Sequence, residues 1–106
     1  MNAATVNPMV AVRSEPRAYK QHLRPAFRTA CREADALCWL CEQPIDYDAE
    51  PRTDWAFELD HMFPWSTHPH LRFEPSNFRP SHSICNKRRG NRAPTAAQLG
   101  DPFSNL

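Results

Sequence analysis

Residues 57–63 read FELDHMF, where an acid and an imidazole, Asp60 and His61, stand side by side in an otherwise apolar-alternating run. On a pleated strand neighbouring side chains point to opposite faces. One buried face therefore cannot account for both, and a buried charge without a partner is costly. Working outward, Trp55, Phe57 and Leu59 form one apolar face of a predicted strand and Ala56, Glu58 and Asp60 the other, with His61 returning to the Leu59 side. Pro64 follows closely, so the strand is expected to end at His61. The pair then sits where side chains from two faces can converge.

Downstream, the Pro-rich segment PWSTHPHLRFEPS (64–76) reads as a loop, and NFRP (77–80) as a short second strand. SHSICNKRRGNR (81–92) predicts a helix with its first turn near Ser83 and its end at Gly90. Upstream, SEPRAYKQHLRPAFRTACREADA (14–36) has a helical period: Tyr19, Leu23, Phe27, Ala30 and Ala34 share one stripe. Arg17, Lys20, Arg24, Arg28 and Arg32 share another. Ser14 is the expected N-cap, and Pro25 predicts two helices or one sharp kink. Two readings of the basic stripe stand side by side, a solvated face or a track along phosphates. The fold class is therefore α+β, in the order helix, turn, strand, loop, strand, helix.

Composition narrows the field. The chain has 106 residues with eleven prolines and two glycines, which favours short elements joined by stiff loops. Residues 1–12, MNAATVNPMVAV, are uncharged and aperiodic and read as a flexible arm; residues 93–106 read as a flexible tail. Residues 13–92 remain for the fold, a size at which a metal staple is common. No apolar run approaches a membrane span, and the N-terminus lacks the layout of a secretory signal, so a cytoplasmic location and no membrane partner are expected. The net charge of +1 conceals a partition. Residues 13–32 hold six basic side chains against Glu15 alone, residues 42–60 hold seven acids against Arg52, and residues 75–100 hold no acid. Such basic blocks can hold a polyanion locally.

Four cysteines in a cytosolic setting favour metal over disulfides. Cys38-x-x-Cys41 and His82-x-x-Cys85 are two chelating halves whose spacing suits one tetrahedral zinc ion. A four-ligand shell leaves no open position, so this zinc is expected to be structural. The plainer alternative is a set of reduced, buried thiols with His82 at the surface. Cys31 lies outside both pairs and reads as a core thiol.

LDHMFPWS (59–66), followed by NFRPSHSICNKRRG (77–90) and preceded by the CWLC pair (38–41), resembles the HNH endonucleases, a family of zinc-stapled ββα-metal (His-Me finger) nucleases. The resemblance runs from about Phe27 to Arg92, which makes 13–92 an HNH nuclease domain with an N-terminal helical segment. It implies His61 as the general base, and Asp60 and Asn86 as ligands of a catalytic magnesium or manganese ion. It further implies Asn77 as the residue that fixes the loop, and Lys87, Arg88, Arg89 and Arg92 as contacts to nucleic acid. Two departures stand out: His82 occupies a position where many relatives have Cys, and Asn86 makes this a His-Asn-Asn variant. The implied activity is metal-dependent hydrolysis of DNA phosphodiesters, one strand nicked per site. The alternatives are a zinc-stapled binding module that does not cut, or an accessory nuclease working with phage packaging (terminase) subunits in a bacterial host. His22, His68 and His70 receive no role.

Overall fold

The computed structural model describes residues 15–104; the arm read over residues 1–12 and the Ser14 cap lie outside the described residues. Strand β1 (Phe57–His61) and strand β2 (Phe78–His82) pair antiparallel, with Phe57 opposite His82, Asp60 opposite Arg79 and His61 opposite Phe78. β1 ends at His61 as the sequence places it, whereas β2 begins one residue later than the 77–80 reading and runs two residues past it, to His82. Helix α1 (Arg24–Glu33) precedes the sheet and helix α2 (Ser83–Arg89) follows β2 without a linker. Each packs against both strands. The molecule is a small α+β structure with a two-stranded sheet. No helix among the described residues is long and apolar enough to cross a membrane.

Pro25 does not break the helical run into two separated helices. A π-helical turn, Tyr19–Leu23, runs directly into α1, and the Arg24 N–H returns to the Tyr19 carbonyl. Proline lacks an N–H and its ring crowds the carbonyl four residues back; a wider turn just before it accommodates both defects.

The core is a seam of rings. Phe78 meets Phe27 and Tyr19 edge-on at 5.5 and 5.8 Å, Phe27 meets Phe57 at 6.1 Å, and Tyr47 stacks on Phe57 at 5.6 Å. Offset and edge-to-face rings at such distances add to the burial they achieve. Cys31, Cys38, Ile45 and Tyr47 are buried beneath this seam, so Cys31 is the core thiol that the sequence suggests. On α1, Arg28 donates to the Tyr47 carbonyl, and Arg32 donates to the same carbonyl at 3.2 Å and to Asp48 at 2.5 Å. Two of the five residues of the basic stripe, Arg28 and Arg32, therefore clasp the 46–48 loop rather than standing free.

The strand's faces differ from expectation. Ala56 is 1 % exposed and Asp60 is 5 % exposed, whereas Trp55 is 58 % exposed and sits edge-on to the His82 ring at 5.2 Å. The acid is on the inside. A further difference lies in the segment read as a tail, where a helix, α3 (Ala96–Ser104), is present. Thr95 caps it: Gln98 N–H donates to Thr95 Oγ1 at 3.1 Å, and Thr95 N–H donates to Gln98 Oε1 at 2.8 Å. This reciprocal pair is a capping box.

Helix α2 stops at Gly90, whose φ of +60° and ψ of −131° an L side chain rarely adopts, while Gly100 lies inside α3. Alanine at these positions should act with opposite signs. Gly90→Ala is expected to destabilise by about 1–3 kcal/mol through backbone strain. Gly100→Ala is expected to be neutral or to stabilise by up to about 1 kcal/mol. Urea unfolding of the two variants checks both.

Candidate metal centre and candidate active site

The turn after α1 and the β2–α2 junction bring Cys38, Cys41, His82 and Cys85 together, with one donor atom of each within 4.8 Å of the others. These four could hold a metal ion, consistent with structural zinc. His82 Nδ1 lies 3.3 Å from Cys41 Sγ and 3.7 Å from Cys85 Sγ. A tetrahedral ion with bonds near 2.3 Å sets its ligands about 3.7 Å apart, so these spacings suit one. His82 Nε2 lies 2.7 Å from the Pro44 carbonyl, which can only accept, so Nε2 carries the proton and Nδ1 offers its lone pair to the sulfurs. Burial first, then the hydrogen bond with Cys41 and the charge of Cys38, pushes the Cys85 thiol up to about 12. Thiolates crowded this closely need a cation to neutralise them, which is what a divalent ion supplies.

On the far side of β1 the sheet's end opens into a cleft of about 410 Å³, lined by Glu58, Asp60, His61, Arg72, Asn86 and Lys87 among others. His61 terminates β1, and its Nε2 lies 2.7 Å from the Arg72 carbonyl. By the same argument Nε2 is the donor there, and Nδ1 is left as the basic nitrogen. Asn77 fastens the loop that supplies this carbonyl. Its Oδ1 accepts from Phe63 N–H at 2.9 Å, and its Nδ2 donates to the carbonyls of Phe63 at 3.0 Å and Leu71 at 3.2 Å. Asn77 thus pins both ends of the 63–71 loop, one residue short of Arg72. Burial lowers the His61 pKa below its ordinary value. The Arg72 carbonyl and the Asp60 charge oppose that shift, and the positive charges of Arg72 and Arg89 reinforce it.

Asp60 is fully engaged. Oδ1 accepts the His61 N–H at 2.7 Å and Oδ2 accepts the Trp39 indole N–H at 2.8 Å. Arg89 Nη1 donates to both oxygens, at 3.2 and 3.1 Å. A carboxylate has about four lone-pair sites, and here each has a donor. A cation at Asp60, the ligand implied by the resemblance, would have to compete with Arg89 for the same oxygens. Asn86, half-buried, lines the cleft beside it.

The basic run on α2 also needs correcting. Arg89, expected on nucleic acid, is only 5 % exposed. Besides Asp60, it donates to the His61 and Met62 carbonyls and lies over the Trp39 ring at 4.9 Å. Lys87 is exposed at the cleft, whereas Arg88 and Arg92 line a separate groove beside Cys41, Cys85 and Gln98. The four side chains do not form one surface.

Arg72 was not singled out in the sequence, where a lone arginine in a Pro-rich loop carries no periodic or motif signal. No family model matches the chain, and neither a curated protein nor a solved structure matches it. The functional reading rests on the site itself.

Two measurements follow from this geometry. Removing the metal with an excess of chelator, or replacing Cys41 by Ser, should lower the melting temperature steeply, because ion binding at such a cluster is folding free energy. Asp60→Asn or Arg89→Met alone should each cost about 3–5 kcal/mol, since either strands its buried partner. The double variant should lose clearly less than the sum of the two, as a urea double-mutant cycle would reveal.

Proposed function

We propose that this chain is an HNH-type, ββα-metal endonuclease that hydrolyses DNA phosphodiesters, with zinc as its structural staple. The observation that carries the reading is the His61 ring, locked through Nε2 onto the Arg72 carbonyl, in one cleft with Asp60, Asn86 and Lys87. The order hairpin then helix, with the base at the end of the first strand and Asn86 on the helix, supports it.

His61 acts as the general base. With Nε2–H committed to a carbonyl, the ring is held in one tautomer and Nδ1 takes the proton of an attacking water. Asn77 acts at one remove by fixing the loop that carries this carbonyl. Lys87 supplies a positive charge for the nucleic-acid backbone. A hard divalent cation, when bound, contributes charge for the phosphoryl oxygens and the leaving alkoxide. Asp60 and Asn86 are the residues that would hold it, Asp60 in competition with Arg89 and Asn86 as a neutral, weaker ligand. The engagement of Asp60 by Arg89 favours a second reading, a zinc-stapled module that binds nucleic acid without cutting it. A supercoiled-plasmid assay separates them: relaxation with magnesium or manganese supports the nuclease, while retardation without relaxation supports the binding module.

His61→Ala should abolish relaxation while leaving zinc content and DNA retardation unchanged. Cleavage at the wild-type rate by a folded, zinc-loaded His61→Ala protein would remove His61 from the role. The pH profile supplies an independent check. Because burial depresses the His61 pKa, the neutral form persists below the range of a free histidine. The rate should therefore stay level through neutral pH and fall only as pH drops through this lowered value, with limiting slope near one.

A further inference from the structure

Arg72 is 9 % exposed and is held in place by aromatic rings, its guanidinium carbon 4.2 Å from the Trp65 ring centre and 4.9 Å from that of Phe73. Stacking satisfies the faces of a guanidinium but not the N–H groups at its edge. Nη1 is buried and has no hydrogen-bond partner. The ion pairs among the described residues are Arg24–Glu15, Arg32–Asp48 and Arg89–Asp60, so no carboxylate there pairs with Arg72. A buried charge with an orphaned donor is among the costlier features a small fold can carry. A catalytic role, with the substrate as the missing acceptor, is one recognised reason for such a group.

An anion is the acceptor that a guanidinium edge binds most strongly, and the surroundings indicate which kind. Arg72 lines the same cleft as His61, Asn86 and Lys87, so an anion on its guanidinium lies within the volume a substrate would fill. The two remaining arginines of that cleft are already paired, Arg24 with Glu15 at 3.5 Å and Arg89 with Asp60 at 3.1 Å. Lys87 is exposed and offers a point charge rather than a planar fork. We infer that Arg72 is the oxyanion clamp of the cleft, its guanidinium taking a non-bridging oxygen of the substrate's phosphate beside His61. The inference rests on the phosphodiester reading and deepens it. One residue then serves two ends: its backbone carbonyl orients the base, and its side chain positions the phosphate toward that base.

The wild-type, zinc-loaded full chain provides the first test and requires no mutation. Inorganic phosphate titrated into it, without a catalytic divalent ion, should shift the Arg72 side-chain Nε–H resonance saturably in NMR spectra. Chloride at equal ionic strength should not. A resonance indifferent to phosphate overturns the clamp. Kinetics on plasmid DNA give the second test. Arg72→Gln should lower kcat/KM by about a hundredfold, the loss seen when one oriented donor to a developing oxyanion is removed. Arg72→Lys should recover only part, because it restores the charge without the stacked fork. Wild-type cleavage by a folded Arg72→Gln protein overturns the clamp and leaves the nuclease reading intact. A wild-type chain that cuts no DNA while its Arg72 still answers to phosphate overturns the nuclease reading and leaves the clamp.

Discussion

A carboxylate that is nearly sealed from water must find a donor for every lone pair, and Asp60 does so by drawing three parts of the chain to one point. Its own strand contributes the His61 amide, the Cys38–Cys41 turn contributes the Trp39 indole, and the last turn of α2 contributes Arg89. None of these donors is replaceable by water at that depth, so the position of each part depends on the other two. Trp39 lies between Cys38 and Cys41, and its backbone N–H is bonded to the Pro80 carbonyl on β2. The Cys/His cluster and the cleft are consequently two ends of one hydrogen-bonded unit. Loosening the turn releases the indole, which leaves a buried carboxylate short of a donor beside the His61 ring.

That dependence explains how so little apolar material supports a cleft. The buried apolar residues are few, and the aromatic seam is one ring thick between α1 and the sheet. A core of this size is marginal by itself. The Cys38, Cys41, His82 and Cys85 cluster ties the turn after α1 to the β2–α2 junction, and the Asp60–Arg89 pair ties the far end of α2 back to β1. Helix α2 is thus fastened at both ends, and Asn86 and Lys87 lie between the fastenings.

Features set by local spacing were legible in the sequence. The alternation before Asp60, the x-x gaps of the two chelating pairs and the glycine after a basic run each report on a few adjacent residues, and the end of β1, the cluster and the end of α2 appear where those signals put them. Direction was harder to read. Lys87, Arg88 and Arg89 look like one charge run, yet consecutive helical residues are turned about 100° apart and cannot share a face. Asn86 and Arg89, three apart, share the side toward the cleft, which the helical period could have revealed. The Thr95-to-Gln98 capping box was likewise present in the sequence, within a segment that its two prolines and single charge, Asp101, made read as a tail. The π-helical turn before Pro25 carries no comparable sequence signal, because proline alone does not say how the preceding turn will widen.

The charges of the cleft also bear on how a base there would be tuned. With Asp60 matched to Arg89 and Glu15 to Arg24, the groups left unmatched along its walls include Arg72, Lys87 and Glu58, whose Oε1 is buried without a partner. Burial and the neighbouring arginines disfavour an imidazolium at residue 61, so the ring rests neutral and able to accept a proton. A bound phosphodiester would bring negative charge to that side of the ring. It would offset the arginines and favour the protonated state that proton abstraction must reach. Burial first, and the arginines after it, keep the histidine deprotonated, and those same arginines would attract the substrate whose charge raises its basicity. On the proposed reading, base strength rises with occupancy, and the ring need not change its tautomer or its bond to the Arg72 carbonyl.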